Sequence, residues 1–125
     1  MARILVVDDD PDFVEIARMI LQAKGYAVDS AANGELALQA IHANPPDLVL
    51  LDVMMRGILD GIHVARTISE DAALRRVRVI MVSSITESPM AGMLPTDEYI
   101  PIDGWITKPV RPDDLLARVG KLLTA

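Results

Sequence analysis

Four short apolar runs punctuate the chain, and each ends on a polar group. Residues 4–7 (Ile-Leu-Val-Val) lead into Asp8, Asp9 and Asp10, residues 48–51 (Leu-Val-Leu-Leu) into Asp52, and residues 79–82 (Val-Ile-Met-Val) into Ser83. A weaker run, Trp105, Ile106 and Thr107, delivers Lys108 and Pro109. The three strong runs are continuously apolar rather than alternating, the pattern of strands covered on both faces of a parallel sheet. A further strand is predicted over 26–31.

Helical periodicity fills the intervals. Phe13, Ile16, Ala17, Ile20 and Leu21 fall on one helix face, so a helix is predicted over 11–24, with Asp10 as its cap, Pro11 in its first turn and Gly25 at its end. Asn33-Gly34 opens a second helix bearing Ala37, Ala40 and Ile41, and Asn44-Pro45-Pro46 stops it. Asp60 is placed to cap a third helix with Val64, Ala65 and Ile68. The last helix starts near Pro112, with Asp113 and Asp114 in its positive first turn and Leu115, Leu116, Val119, Leu122 and Leu123 as its face. Alternating strands and helices with buried strands imply right-handed crossovers. The expected fold is therefore α/β, a doubly wound five-stranded parallel sheet with its crevice at the carboxyl ends of the strands.

The stretch 84–104 breaks this rhythm. Pro89, Pro95 and Pro101 each remove a donor and restrict the residue before them, which precludes a long helix. Ser88 can cap only a turn or two over 89–94. Loops this long inside compact domains are usually functional or disordered, and a functional one is expected here.

Composition narrows the class. The 125 residues suit one domain, and 51% hydrophobic residues with one Trp, two Tyr and one Phe imply an aliphatic core. A net charge of -6 works against phosphate-backbone binding, so direct nucleic-acid contact is not expected. The chain has no cysteine for disulfides or thiolate metal sites. Its apolar runs are too short for a signal peptide or a membrane helix, so a soluble cytoplasmic protein is expected, with no membrane partner.

If the runs are parallel neighbours, Asp8, Asp9, Asp52, Ser83 and Lys108 meet in one crevice. Carboxylates about 4 Å apart repel by roughly 4 kcal/mol per pair at an effective dielectric near 20, so they need a cation or a proton. Mg²⁺ suits them, because it prefers oxygen ligands and leaves room for a phosphate oxygen. An aspartate can serve as nucleophile in phosphoryl transfer, where positioning and charge neutralisation dominate. Several polar residues have plainer readings. Asp10 before Pro11 reads as a helix cap, His42 and His63 as surface or structural residues, and the methionines as gap fillers. Trp105 is balanced between a packed aromatic and a switch.

With these residues in order, the chain resembles the receiver domain of bacterial two-component response regulators over nearly its whole length. The carriers are 4–11, 47–55, Asp60-Gly61, Ser83 and Lys108-Pro109. The expectation is then a single receiver domain over 1–125 on a flavodoxin-like sheet of order 2-1-3-4-5. The family's fourth helix, between the last two strands, is expected to be short or absent. The resemblance implies that Asp52 accepts a phosphoryl group from a sensor histidine kinase or phosphotransfer protein. Asp8, Asp9, Asp52 and the backbone carbonyl of Met54 would hold Mg²⁺, Lys108 and Ser83 would engage the phosphoryl group, and Ser83 with Trp105 would form the switch. It also implies a cis Lys108-Pro109 peptide, an output protein of unspecified identity, and a regulatory role rather than that of an enzyme. Met54 and Ile85 stand where similar domains flank the approach of water, and both being apolar predicts slow loss of the phosphoryl group. The sequence departs from the family at Arg56, where proline is common, at Asp60-Gly61, which come one residue late, and in the proline-broken stretch. It ends after the last helix, as either a lone receiver or an excised fragment would.

Three other functions compete. A phosphorylation-independent docking module on the same fold would use the loop around Arg56 and the stretch 84–104. A phosphohydrolase would need a second acid two residues after Asp52, where Met54 stands. A flavin domain would need Gly, Ser and Thr donors after the first strand, where the chain is acidic.

Overall fold

The computed structural model describes residues 2–52, 58–74, 76–83, 103–107 and 110–124. In chain order the elements are β1 (Arg3–Val7), α1 (Pro11–Ala23), β2 (Ala27–Ala31), α2 (Gly34–Ala43), β3 (Leu48–Asp52), α3 (Ile58–Glu70), a 3-10 turn (Ala72–Leu74), β4 (Arg78–Ser83), β5 (Gly104–Thr107) and α4 (Pro112–Thr124). The five strands form one parallel sheet in the order β2-β1-β3-β4-β5, as the buried, non-alternating runs predicted. The expected short or absent helix between β4 and β5 falls within 84–102, outside the described residues, as does the loop around Arg56.

Local chemistry sets the boundaries. Asp10 accepts the N–H of Asp12 at 3.0 Å and caps α1, which Pro11 opens. At the other end Gly25 takes φ +91°, and the N–H groups of Gly25 and Tyr26 return to the carbonyls of Gln22 and Leu21. That pair of bonds is a Schellman cap, and it spends Tyr26 on the helix end so that β2 begins at Ala27. Asn33 caps α2 by accepting the N–H of Leu36 at 2.9 Å. One boundary differs from expectation. Helix α3 starts at Ile58, so Asp60 lies inside its first turn instead of capping it. Ile58 and Leu59 carry no helix-breaking chemistry, and a preferred cap residue two places after Ile58 does not stop a helix from running back through them.

Two cores clothe the sheet. Odd positions of β1 and β3 (Leu5, Val7, Val49, Leu51) pack under α2 and α3, and even positions (Ile4, Val6, Leu48, Leu50) pack under α1 and α4. Strand β3, third in the sheet, is buried at all five residues. Among the described residues no helix is long and apolar enough to cross a membrane.

Candidate functional site

The same alternation builds the site. Ile4 and Val6 face the α1 and α4 side, and one step of two residues further along brings the chain to Asp8. Leu48 and Leu50 face that side too, and the next step reaches Asp52. Val7 pairs with Leu51, so Asp8 and Asp52 lie at the same level where the two neighbouring strands end. One carboxylate oxygen from each of Asp8, Asp9 and Asp52 lies within 4.8 Å of the others.

The three residues are held differently. Asp8 is 2% exposed and Asp52 7% exposed, whereas Asp9 is open to solvent. The backbone of Asp8 continues the sheet, its N–H donating to the carbonyl of Ala31 at 3.1 Å. Its Oδ1 accepts the N–H of Asp10 at 2.9 Å, a local turn that aims the carboxylate over the strand end. Asp10 itself serves α1 as a cap and stands outside the trio, as its position before Pro11 suggested.

Like charges this close are held against their own repulsion. Two carboxylates at that separation cost roughly 3.5 kcal/mol at an effective dielectric near 20. The donor set fits a hard divalent cation. Oxygens sharing one Mg²⁺ stand roughly 3 to 4 Å apart, given bonds of about 2.1 Å in an octahedron, so the trio needs only a slight contraction to share one ion. A depression of about 250 Å³ opens beside it, bounded by Asp8, Asp9, Glu15, Ser30, Ala31 and Ala32. A larger groove of about 520 Å³ lies along the β2 edge by Arg3, Arg18, Asp29 and Asn44, and it holds no such trio. Convergent chemistry rather than volume marks the site.

The other predicted residues divide. Ser83 ends β4 and pairs with Thr107, one step past the pairing of Asp52 with Val82. Its side chain lies outside the described part, as do Met54, Lys108, Pro109 and Ile85. Trp105 is half-buried on β5 against the α2 and α3 core, and among the described residues its buried indole N–H makes no hydrogen bond. His42 lies on the surface 3.4 Å from Asp71, consistent with a structural reading.

The sequence model of the response regulator receiver domain matches residues 4–120. This chain belongs to that family. Receiver relatives include the response regulator MprA of a Mycobacterium species (strain KMS), 38% identical over 122 residues, which cover 97% of this chain and 50% of MprA. The DNA-binding response regulator MtrA of Mycolicibacterium smegmatis is 35% identical over 121 residues, covering 94% of this chain and 48% of MtrA. The receiver thus spans about half the length of these curated relatives. Among solved structures, the response regulator protein TrrA of Thermotoga maritima in complex with Mg²⁺-BeF superposes with a TM-score of 0.79 at 34% identity, covering 98% of this chain and 99% of TrrA. Membership of this family makes the chain a signalling domain of the phosphoacceptor type, and the acidic trio sits at the carboxyl ends of the receiver's central strands.

Sequence reasoning missed the residues at the opposite end of the sheet. Arg3 bonds Asp29 at 3.1 Å through its side chain and Asp47 at 2.7 Å through its N–H, and Asp103 grips the start of β4. The available signal was weak: a charged residue at or just before the start of a buried strand.

Proposed function

We propose that residues 1–125 form one receiver domain in which Asp52 accepts a phosphoryl group from a phosphohistidine on a sensor kinase or phosphotransfer protein. The observation that carries this reading is the convergence of Asp8, Asp9 and the nearly buried Asp52 at adjacent strand ends. An Asp52 oxygen attacks phosphorus, the new O–P bond forms as the P–N bond breaks, and the freed imidazole takes up a proton. Asp8, Asp9, Asp52 and the carbonyl of Met54 would hold Mg²⁺, which TrrA binds with BeF. When bound, the ion neutralises the carboxylates and the phosphoryl oxygens. Lys108 supplies a further positive charge to the phosphoryl group, and Ser83 donates a hydrogen bond to it. The added charge at Asp52 shifts the balance between two surface states through Ser83 and Trp105, and an output partner reads the result. DNA binding belongs to the name of MtrA, of which this chain matches about half. The net charge of -6 opposes such contact by these residues, so we place no nucleic acid among their direct partners.

The test is labelling by acetyl phosphate, read as intact mass. Wild type should gain one phosphoryl group only when Mg²⁺ is present, and Asp52→Asn should gain none. Equal labelling of the two proteins would refute the assignment of Asp52.

A further inference from the structure

Strand β5 is four residues long, stands at the edge of the sheet and pairs with β4 alone. Its ladder register is therefore set against one neighbouring strand, and a slip of one residue turns every side chain to the opposite face. Such a slip would exchange Trp105, packed on the α2 and α3 side, with Ile106, buried on the α1 and α4 side.

The residue just ahead of β5 opposes the slip. The N–H of Asp103 donates to the carbonyl of Val79 at 2.7 Å, and its Oδ2 accepts the N–H of Val79 at 2.8 Å. Its Oδ1 lies 3.6 Å from Arg78 Nη1. The ladder proper begins only at Ile80 and Gly104, so Val79 offers its donor one place ahead of the paired strand. A carboxylate at that spot satisfies a strand-end donor and reads the position of β5 against β4 in one contact.

Thr107 ends β5 and Lys108 follows it in the chain. A slip of one residue would move the point at which Lys108 is delivered by about 3.3 Å. We infer that Asp103 is a positioning residue for phosphoryl transfer: by clamping β5 to β4 at their amino ends, it fixes where Lys108 meets the phosphoryl group on Asp52. This rests on the role given above to Lys108.

A double-mutant cycle tests it, with acetyl-phosphate labelling rates measured by intact mass in saturating Mg²⁺. Asp103→Ala should slow labelling roughly tenfold, since a misplacement of about 1 Å can cost up to about a hundredfold. The same substitution should add nothing in a Lys108→Ala background. Asp103→Asn, which keeps an oxygen for Val79, should retain most of the rate. The fluorescence of Trp105, the one tryptophan in the chain, should shift in Asp103→Ala and stay unchanged in Asp103→Asn. If Asp103→Ala does not fold, Asp103→Glu takes its place, with a severalfold loss expected only while Lys108 is present. Losses that multiply in the double variant would overturn the inference, as would a normal rate for the variant carried through the cycle while Lys108→Ala is slow. A normal rate for Lys108→Ala itself would overturn the role of Lys108, and the inference with it.

Discussion

Replacing Asp9 with Asn should stabilise the protein without metal and weaken its response to metal. Asp9 is the exposed member of the trio, with a carboxylate oxygen within 4.8 Å of those on Asp8 and Asp52. Each of its two repulsions would reach roughly 3.5 kcal/mol at an effective dielectric near 20. Solvent screening of an exposed group cuts such values several-fold, which leaves about 1 kcal/mol to be relieved. For a domain of this size that amounts to a rise of roughly 3 to 5 °C in Tm. The local turn survives, because the Asp8 carboxylate still accepts the N–H of Asp10. Wild type in Mg²⁺ at a hundred times its Kd should gain about 2.7 kcal/mol, since ligand binds the folded state alone. The variant should gain clearly less at the same concentration, so the two stabilities should approach or cross as Mg²⁺ is added. Urea denaturation in chelator and across a Mg²⁺ titration measures both quantities. A variant less stable than wild type in chelator would refute the repulsion argument. Equal stabilisation of both proteins by Mg²⁺ would remove Asp9 from the metal site.

Two further expectations concern other parts of the chain. Arg3→Ala removes side-chain bonds to Asp29 and to the carbonyls of Asn44 and Pro45, and should cost about 1 to 2 kcal/mol in urea denaturation, equally with and without Mg²⁺. The phosphorylated protein should keep its phosphoryl group for minutes or longer in Mg²⁺, followed by intact mass after the phosphodonor is removed. A half-life of seconds would contradict the roles given to Met54 and Ile85.

The strands and the trio were legible because their causes are local. Strand β3 is buried from Leu48 to Asp52, so its apolar run could not be mistaken for a half-exposed strand. The period of two then carries Ile4 and Val6 on to Asp8, and Leu48 and Leu50 on to Asp52, from pattern alone. Cap chemistry made Asp10 and Asn33 legible in the same way. The start of α3 was misplaced because the side-chain preference of Asp60 was weighed without the residues ahead of it. The turn at Ala72–Leu74 has too few residues to show a period. Arg3 and Asp103 were invisible for a different reason. Their partners Asp29 and Val79 stand 26 and 24 residues away, and no local pattern announces a pairing that exists only once the sheet has formed.

The two ends of the sheet carry opposite charge arrangements, and the contrast accounts for how the site can exist. In spatial order stand Asp29, midway along β2, and then Arg3, Asp47, Arg78 and Asp103 at or just before the starts of their strands. Ion pairs join Arg3 to Asp29 and Arg78 to Asp103, the Asp47 carboxylate accepts the N–H of Arg3, and a backbone bond links Arg78 to Asp47. At the carboxyl ends stand three carboxylates of one sign. A sheet with repulsion at both ends would have its strands free to splay or shift register. Here two ion pairs and several hydrogen bonds tie the amino-terminal side and two aliphatic cores pack the middle, which opposes relaxation of the carboxyl ends by movement of whole strands. A divalent cation bound there would relieve that repulsion, since its charge offsets those of the carboxylates. The stability that tolerates the acidic trio thus comes from residues that never touch it. Changes at the amino ends should therefore alter stability with Mg²⁺ present or absent, whereas changes in the trio should alter chiefly the part that depends on Mg²⁺.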